Sequence, residues 1–76
     1  MNKKNFKVRF ARIEGQIKGI NRMIDEDRDC VSIFQQFSAV NNAMKGIAKE
    51  IILENVKNGD LDDEKLSKVL SLLVNL

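Results

Sequence analysis

Between Phe6 and Ile24 the apolar residues advance in alternating steps of four and three: Phe6, Phe10, Ile13, Ile17, Ile20, Ile24. That spacing holds one stripe on the same side of an α-helix and is the seam of a helix packed against another helix. The pattern returns at Cys30, Ile33, Phe37, Val40, Met44, Ile47 and Ile51, and Val31, Phe34, Ala43, Ala48 and Ile52 widen it. With no proline anywhere, nothing interrupts either run. Asp29 or Asp27 is placed to cap the second helix at its start, and Asn58-Gly59 to stop it after Lys57. Some 28 residues at 1.5 Å each make a rod of about 42 Å. The rest of the chain is too short to cover such a rod, so the pattern predicts an obligate oligomer.

A third, shorter helix is predicted after Asp60, which with Asp63 resembles a capping-box start. Leu66, Val69, Leu70, Leu73 and Leu76 form one side of it, and Leu72 and Val74 make it apolar nearly all round. Burial between protomers is the expected reason. Ala11, Gly15 and Gly19 lie on one ridge of the first helix, one turn apart. Glycine within a helix costs about 1 kcal/mol relative to alanine, so the pair predicts close approach of a neighbouring backbone, or else local flexibility.

Seventy-six residues make one domain at most, spanning 1–76. One cysteine and no histidine exclude an internal disulfide and a Cys/His zinc cluster. Without histidine or tyrosine, acid–base chemistry would fall to carboxylates and lysines that read as caps and surface charges. No nucleotide-binding glycine loop or nucleophile motif is present. The expectation is a protein that is not an enzyme, with no catalytic residues. No apolar run reaches the roughly 18 residues of a membrane span, and a soluble, cytoplasmic setting without a membrane partner is expected.

The net charge of +2 conceals an asymmetry. Residues 1–22 carry Lys3, Lys4, Lys7, Arg9, Arg12, Lys18 and Arg22 against a single acid, Glu14, for a net of +6, and the remainder carries −4. Lys3, Lys4 and Lys7 are expected at or before the first turn, where the helix dipole favours negative charge. A one-sided distribution of this kind predicts a polyanion partner, with Lys45 and Lys49 on the second helix as helpers. The third helix is a poor reader of the DNA groove. It offers only Lys65 and Lys68 among leucines and begins in acids.

Cys30 is the one reactive candidate. At a helix start beside Arg28 the dipole favours its thiolate, while Asp25, Glu26, Asp27 and Asp29 oppose it. Its place in the seam also suits a small buried hydrophobe.

The run Arg12-Ile13-Glu14-Gly15-Gln16-Ile17-Lys18-Gly19-Ile20, then Arg22-Met23-Ile24 and Cys30, closely resembles the CsoR/RcnR/FrmR family of small bacterial repressors. Ser38-Ala39-Val40 and Ala43 fit the same pattern, so the likeness covers most of the chain. The resemblance implies an all-α, three-helix protomer, a dimer forming an antiparallel four-helix bundle, and a tetramer made of two dimers. It implies repression by binding double-stranded operator DNA and release when an effector binds, whether Cu(I), Ni(II)/Co(II), formaldehyde or a persulfide. The family's DNA-contacting residues map to Arg9 and Arg12. A basic position on the second helix falls at Gly46, which leaves Lys45 and Lys49 as substitutes.

The family's sensing cysteine maps to Cys30, but its histidine and second cysteine fall on Asn55 and Gly59. One thiolate beside an amide and a bare glycine makes no trigonal Cu(I) site, so neither a bound metal nor another cofactor is expected. Gly59 likewise removes the second thiol of a persulfide sensor. The formaldehyde sensors pair the cysteine with an N-terminal amine, and here that amine, or Lys3 or Lys4 of a neighbour, would have to serve. The expectation is a repressor with Cys30 as a thiol switch for formaldehyde or another electrophile. The alternatives are a degenerate sensor that represses without an effector, or a helical protein-interaction module with solvated cations.

Overall fold

The computed structural model describes residues 2–76 as three helices: α1 (Lys3–Asp25), α2 (Cys30–Lys57) and α3 (Asp63–Val74). Each begins on an amide or carboxylate side chain that accepts a backbone N–H of the first turn, as helix starts require. Asn2 accepts from Asn5 at 3.1 Å, Asp29 from Ser32 at 2.9 Å, and Asp62 from Lys65 at 2.8 Å. The predicted start at Asp60 is therefore two residues early. The amide of Asp60 is still bonded to the Asn55 carbonyl and that of Gly59 to the Val56 carbonyl, at 3.0 and 3.1 Å. This is the Schellman closure of α2, and Asp60 belongs to it.

Helix α1 closes the same way. Asp27 adopts the left-handed conformation at φ 55°, and Arg28 bonds back to the Met23 carbonyl at 2.9 Å. Asp27 is thus the stop of α1, which leaves Asp29 as the cap of α2. A non-glycine residue in this conformation is strained. Asp27→Gly is expected to stabilise the fold by up to about 1 kcal/mol, read as a higher urea midpoint.

The turn between them lays α1 antiparallel on α2. Phe6, Ile13 and Ile47 form the buried cluster, with Val40, Ala43, Met44 and Ile51 packed around it. Ile47 is its centre at 2% exposure. The predicted seam of α1 is only half used. Phe6, Ile13 and Ile20 face inward, while the alternate members Phe10, Ile17 and Ile24 remain 37%, 48% and 52% exposed. On α2, Val31, Phe34 and Phe37 are also exposed, the two rings tilted together at 5.6 Å. Helix α3 has no buried residue. It lies along Ala48, Ile51 and Ile52 through Val69, Leu72, Leu73 and Leu76, leaving an apolar groove between the helices.

The three helices form a slab of 47 × 26 × 12 Å. Its thinnest dimension is about that of one helix with its side chains. A single layer of amphipathic helices has an apolar face without a partner, and stable domains pair such faces. Among the described residues no helix is long and apolar enough to cross a membrane.

Candidate nucleic-acid interface and the Cys30 site

The cations of α1 do not form one basic stripe. Phe6, Ile13 and Ile20 fix the side of α1 that meets α2. At about 100° per residue, Arg9 and Arg12 fall on one flank of that contact, Lys7 on the other, and Lys4 and Lys18 toward the face opposite α2. All of these are exposed except Arg9. Arg9 does not run along the solvent side with the other cations. Its guanidinium turns onto α2, where Nη1 donates to Oε2 of Glu50. It lies across Gly46, where an added Cβ would sit 3.5 Å from Nη2. Glycine at this position leaves bare backbone beneath the guanidinium.

Lys45 and Lys49 each stand two positions from the buried Ile47, so both project from the side of α2 turned away from α1. Lys49 follows Gly46 by one turn and borders the Arg9 flank. Lys45 does not, and it is half-buried. Lys3, Lys4 and Lys7 occupy the first two turns of α1, all exposed.

Cys30 is a free, exposed thiol on the first residue of α2. The reading of it as a small buried hydrophobe does not hold within the chain. It lines a shallow depression with Val31, Phe34, Gln35 and Ser38. Beside it, the Ser32 hydroxyl donates to Asp29 Oδ1 at 2.7 Å and the Ser32 amide to Oδ2 at 2.9 Å. These two bonds, the hydroxyl's first, hold the Asp29 carboxyl below its ordinary range. A depressed carboxyl stabilises the fold fully above its unfolded value and loses that contribution as pH falls through the depressed one. Asp29→Asn keeps a capping oxygen that does not titrate. The stability difference between the two proteins is expected to be constant at neutral pH and to shrink only in acid, as followed by helicity in urea.

The metal-ligand positions implied by the family resemblance do not fit a metal. The Asn55 amide donates to the Ile51 carbonyl at 2.7 Å, within its own helix. Gly59 has no side chain and lies beyond the end of α2 at φ 73°. Among the described residues no three His, Cys, Asp or Glu side chains gather as a metal-binding group.

Glu50 is the residue that sequence reasoning missed. Only the antiparallel register of α1 on α2 brings it to Arg9, and no pattern within one helix carries that register.

The described residues thus form three capped helices with a cationic flank and an open apolar face. The chain belongs to the metal-sensitive transcriptional repressor family, whose model matches residues 2–74. It is 39% identical over 56 residues to the copper-sensing transcriptional repressor RicR of Mycobacterium tuberculosis, covering 74% of this chain and 58% of that protein. It is 38% identical over 72 residues to the copper-sensing transcriptional repressor CsoR of Bacillus subtilis, covering 84% and 70%. With the transcriptional repressor RcnR of Escherichia coli strain K12 it shares 33% over 51 residues, covering 67% and 57%. The chain therefore spans less than two thirds of the length of RicR and of RcnR. No solved structure matches it significantly. The family expected from the Arg12–Ile20 run is the family found, and it is one of repressors, not enzymes.

Proposed function

We propose that residues 1–76 form one DNA-binding repressor unit that works in the cytoplasm as a homo-oligomer, a dimer assembling to a tetramer. The observation that carries this is the placement of Arg9 and Arg12, one turn apart on the α1/α2 flank, in a family of transcriptional repressors. Lys3, Lys4, Lys7 and Lys18 add phosphate contacts, with Lys49 and Lys45 on α2 supplementing them. The uncovered stripe of Phe10, Ile17 and Ile24 supports the oligomer, since apolar patches of this kind mark contact surfaces. Counterion release makes phosphate binding fall steeply with salt. A gel shift with DNA from upstream of the protein's own gene, repeated from low to high salt, tests the reading. Binding that ignores salt would favour an interaction module docking through its apolar face.

Release is proposed to act through Cys30 rather than a metal. Its exposure supports attack of the thiol on the carbonyl carbon of formaldehyde, whose oxygen takes up the proton to leave an S-hydroxymethyl group. Condensation with an amine would expel water and leave a methylene bridge. Lys3 and Lys4 of the same protomer stand at the far end of α1, about 34 Å away along 23 residues, so the amine would come from a neighbour. Formaldehyde is expected to add mass at Cys30 and weaken DNA binding, and Cys30→Ser to abolish both effects. Unchanged affinity after complete modification would leave a repressor without this effector.

A further inference from the structure

We infer that Glu50 sets the DNA affinity of this protein by competing with phosphate for Arg9. The inference rests on the reading of Arg9 as a phosphate contact. Among the described residues, Arg9–Glu50 is the one ion pair in a chain of 13 basic and 11 acidic residues. The other cations of α1 reach a polyanion unpaired. Arg9 reaches it already neutralised.

The geometry gives this pairing its consequence. The guanidinium lies over the backbone at Gly46, so its position is set by the carboxylate at one edge and the bare helix beneath it. Its side chain remains 28% exposed and that of Glu50 50%, so phosphate can approach the same group. Carboxylate and phosphate both present oxygens to the guanidinium fork, which matches either one. DNA must therefore displace Glu50 or come to rest beside its negative charge. Either course weakens binding, and Gly46 provides no second cation to offset it.

The test uses the full chain and duplex DNA from upstream of its own gene, titrated by fluorescence anisotropy between low and moderate salt. Glu50→Gln keeps the shape and removes the charge. It is expected to tighten binding by about two- to fivefold at low salt, the factor of an exposed ion pair, and to steepen the salt dependence. The gain should exceed that of Glu54→Gln, which removes the same charge one turn along α2. It should vanish when Glu50→Gln is placed on an Arg9→Gln background. Unchanged or weaker binding by Glu50→Gln would overturn the inference and make Glu50 a support for Arg9. So would an equal gain in Glu54→Gln, or a gain that survives without Arg9. If the wild-type protein ignores duplex DNA at low salt, the repressor reading itself falls, a result separate from any ranking of the variants.

Discussion

Arg9→Gln is expected to lower the affinity of the proposed repressor for duplex DNA at least about tenfold at low salt and to flatten the salt dependence of binding. The expectation follows from where Arg9 sits. It occupies the flank of the α1/α2 contact, its guanidinium is partly exposed, and Arg12 stands one turn on. Every copy in the proposed oligomer would carry the change, so several phosphate contacts would be lost together. The fold is expected to survive, because a half-exposed ion pair contributes at most about 1 kcal/mol. Arg9→Lys should recover only part of the binding. An ammonium carries the charge but lacks the planar fork that grips an anion with two parallel bonds. Anisotropy titrations read the affinity and circular dichroism confirms the helices. Wild-type affinity in Arg9→Gln would remove Arg9 from the interface.

Ile47→Ala is expected to unfold the protein or come close to it. Ile47 is 2% exposed, the most deeply buried large side chain, and Phe6 and Ile13 of α1 close over it. Truncating a buried isoleucine to alanine costs about 2–5 kcal/mol through lost burial and the cavity left behind. Small domains hold only about 5–15 kcal/mol in total, and a chain of this size sits at the weak end. Once α1 detaches, the separate helices have little to sustain them, since helical stability comes mainly from burying an apolar face. A fall in helicity and in the urea midpoint is therefore the expected result. Ile47→Val, which removes one methylene, should cost about 0.5–1.5 kcal/mol. A midpoint unmoved by Ile47→Ala would mean that Phe6 and Ile13 close over the space without it.

The helices were largely legible because their signals are local. Asp29 and Asn58-Gly59 act within one turn of their own positions, and they bound α2 as expected. The Asp60 start failed where two local signals overlapped, since the closing bonds of α2 took the Asp60 amide. Both heptad stripes were also legible, but a stripe does not say how many partners share it. Phe10, Ile17 and Ile24 read the same as Phe6, Ile13 and Ile20 in sequence, yet only the second set is covered within the chain.

Gly15 and Gly19 show the same limit. Within the chain, nothing beyond their own stretch of helix lies within 4 Å of a Cβ built on either. The inward turn of Arg9 was invisible for a further reason. It depends on which turn of α2 faces which turn of α1, and Glu50 lies 41 residues away in sequence. The family, by contrast, was legible from the run Arg12 to Ile20 with Arg22-Met23-Ile24 and Cys30 following in register.

Gly59 constrains what could be built at the end of α2. A left-handed residue at φ 73°, two places past the last turn of α2, is a feature of the main chain. Writing cysteine there would force a β-carbon into a conformation that L-residues resist by about 1–2 kcal/mol, while the Asn55 amide stays tied to its own helix. Introducing ligand side chains at 55 and 59 would therefore carry a backbone cost at the helix terminus and would compete with the hydrogen bond now made at position 55.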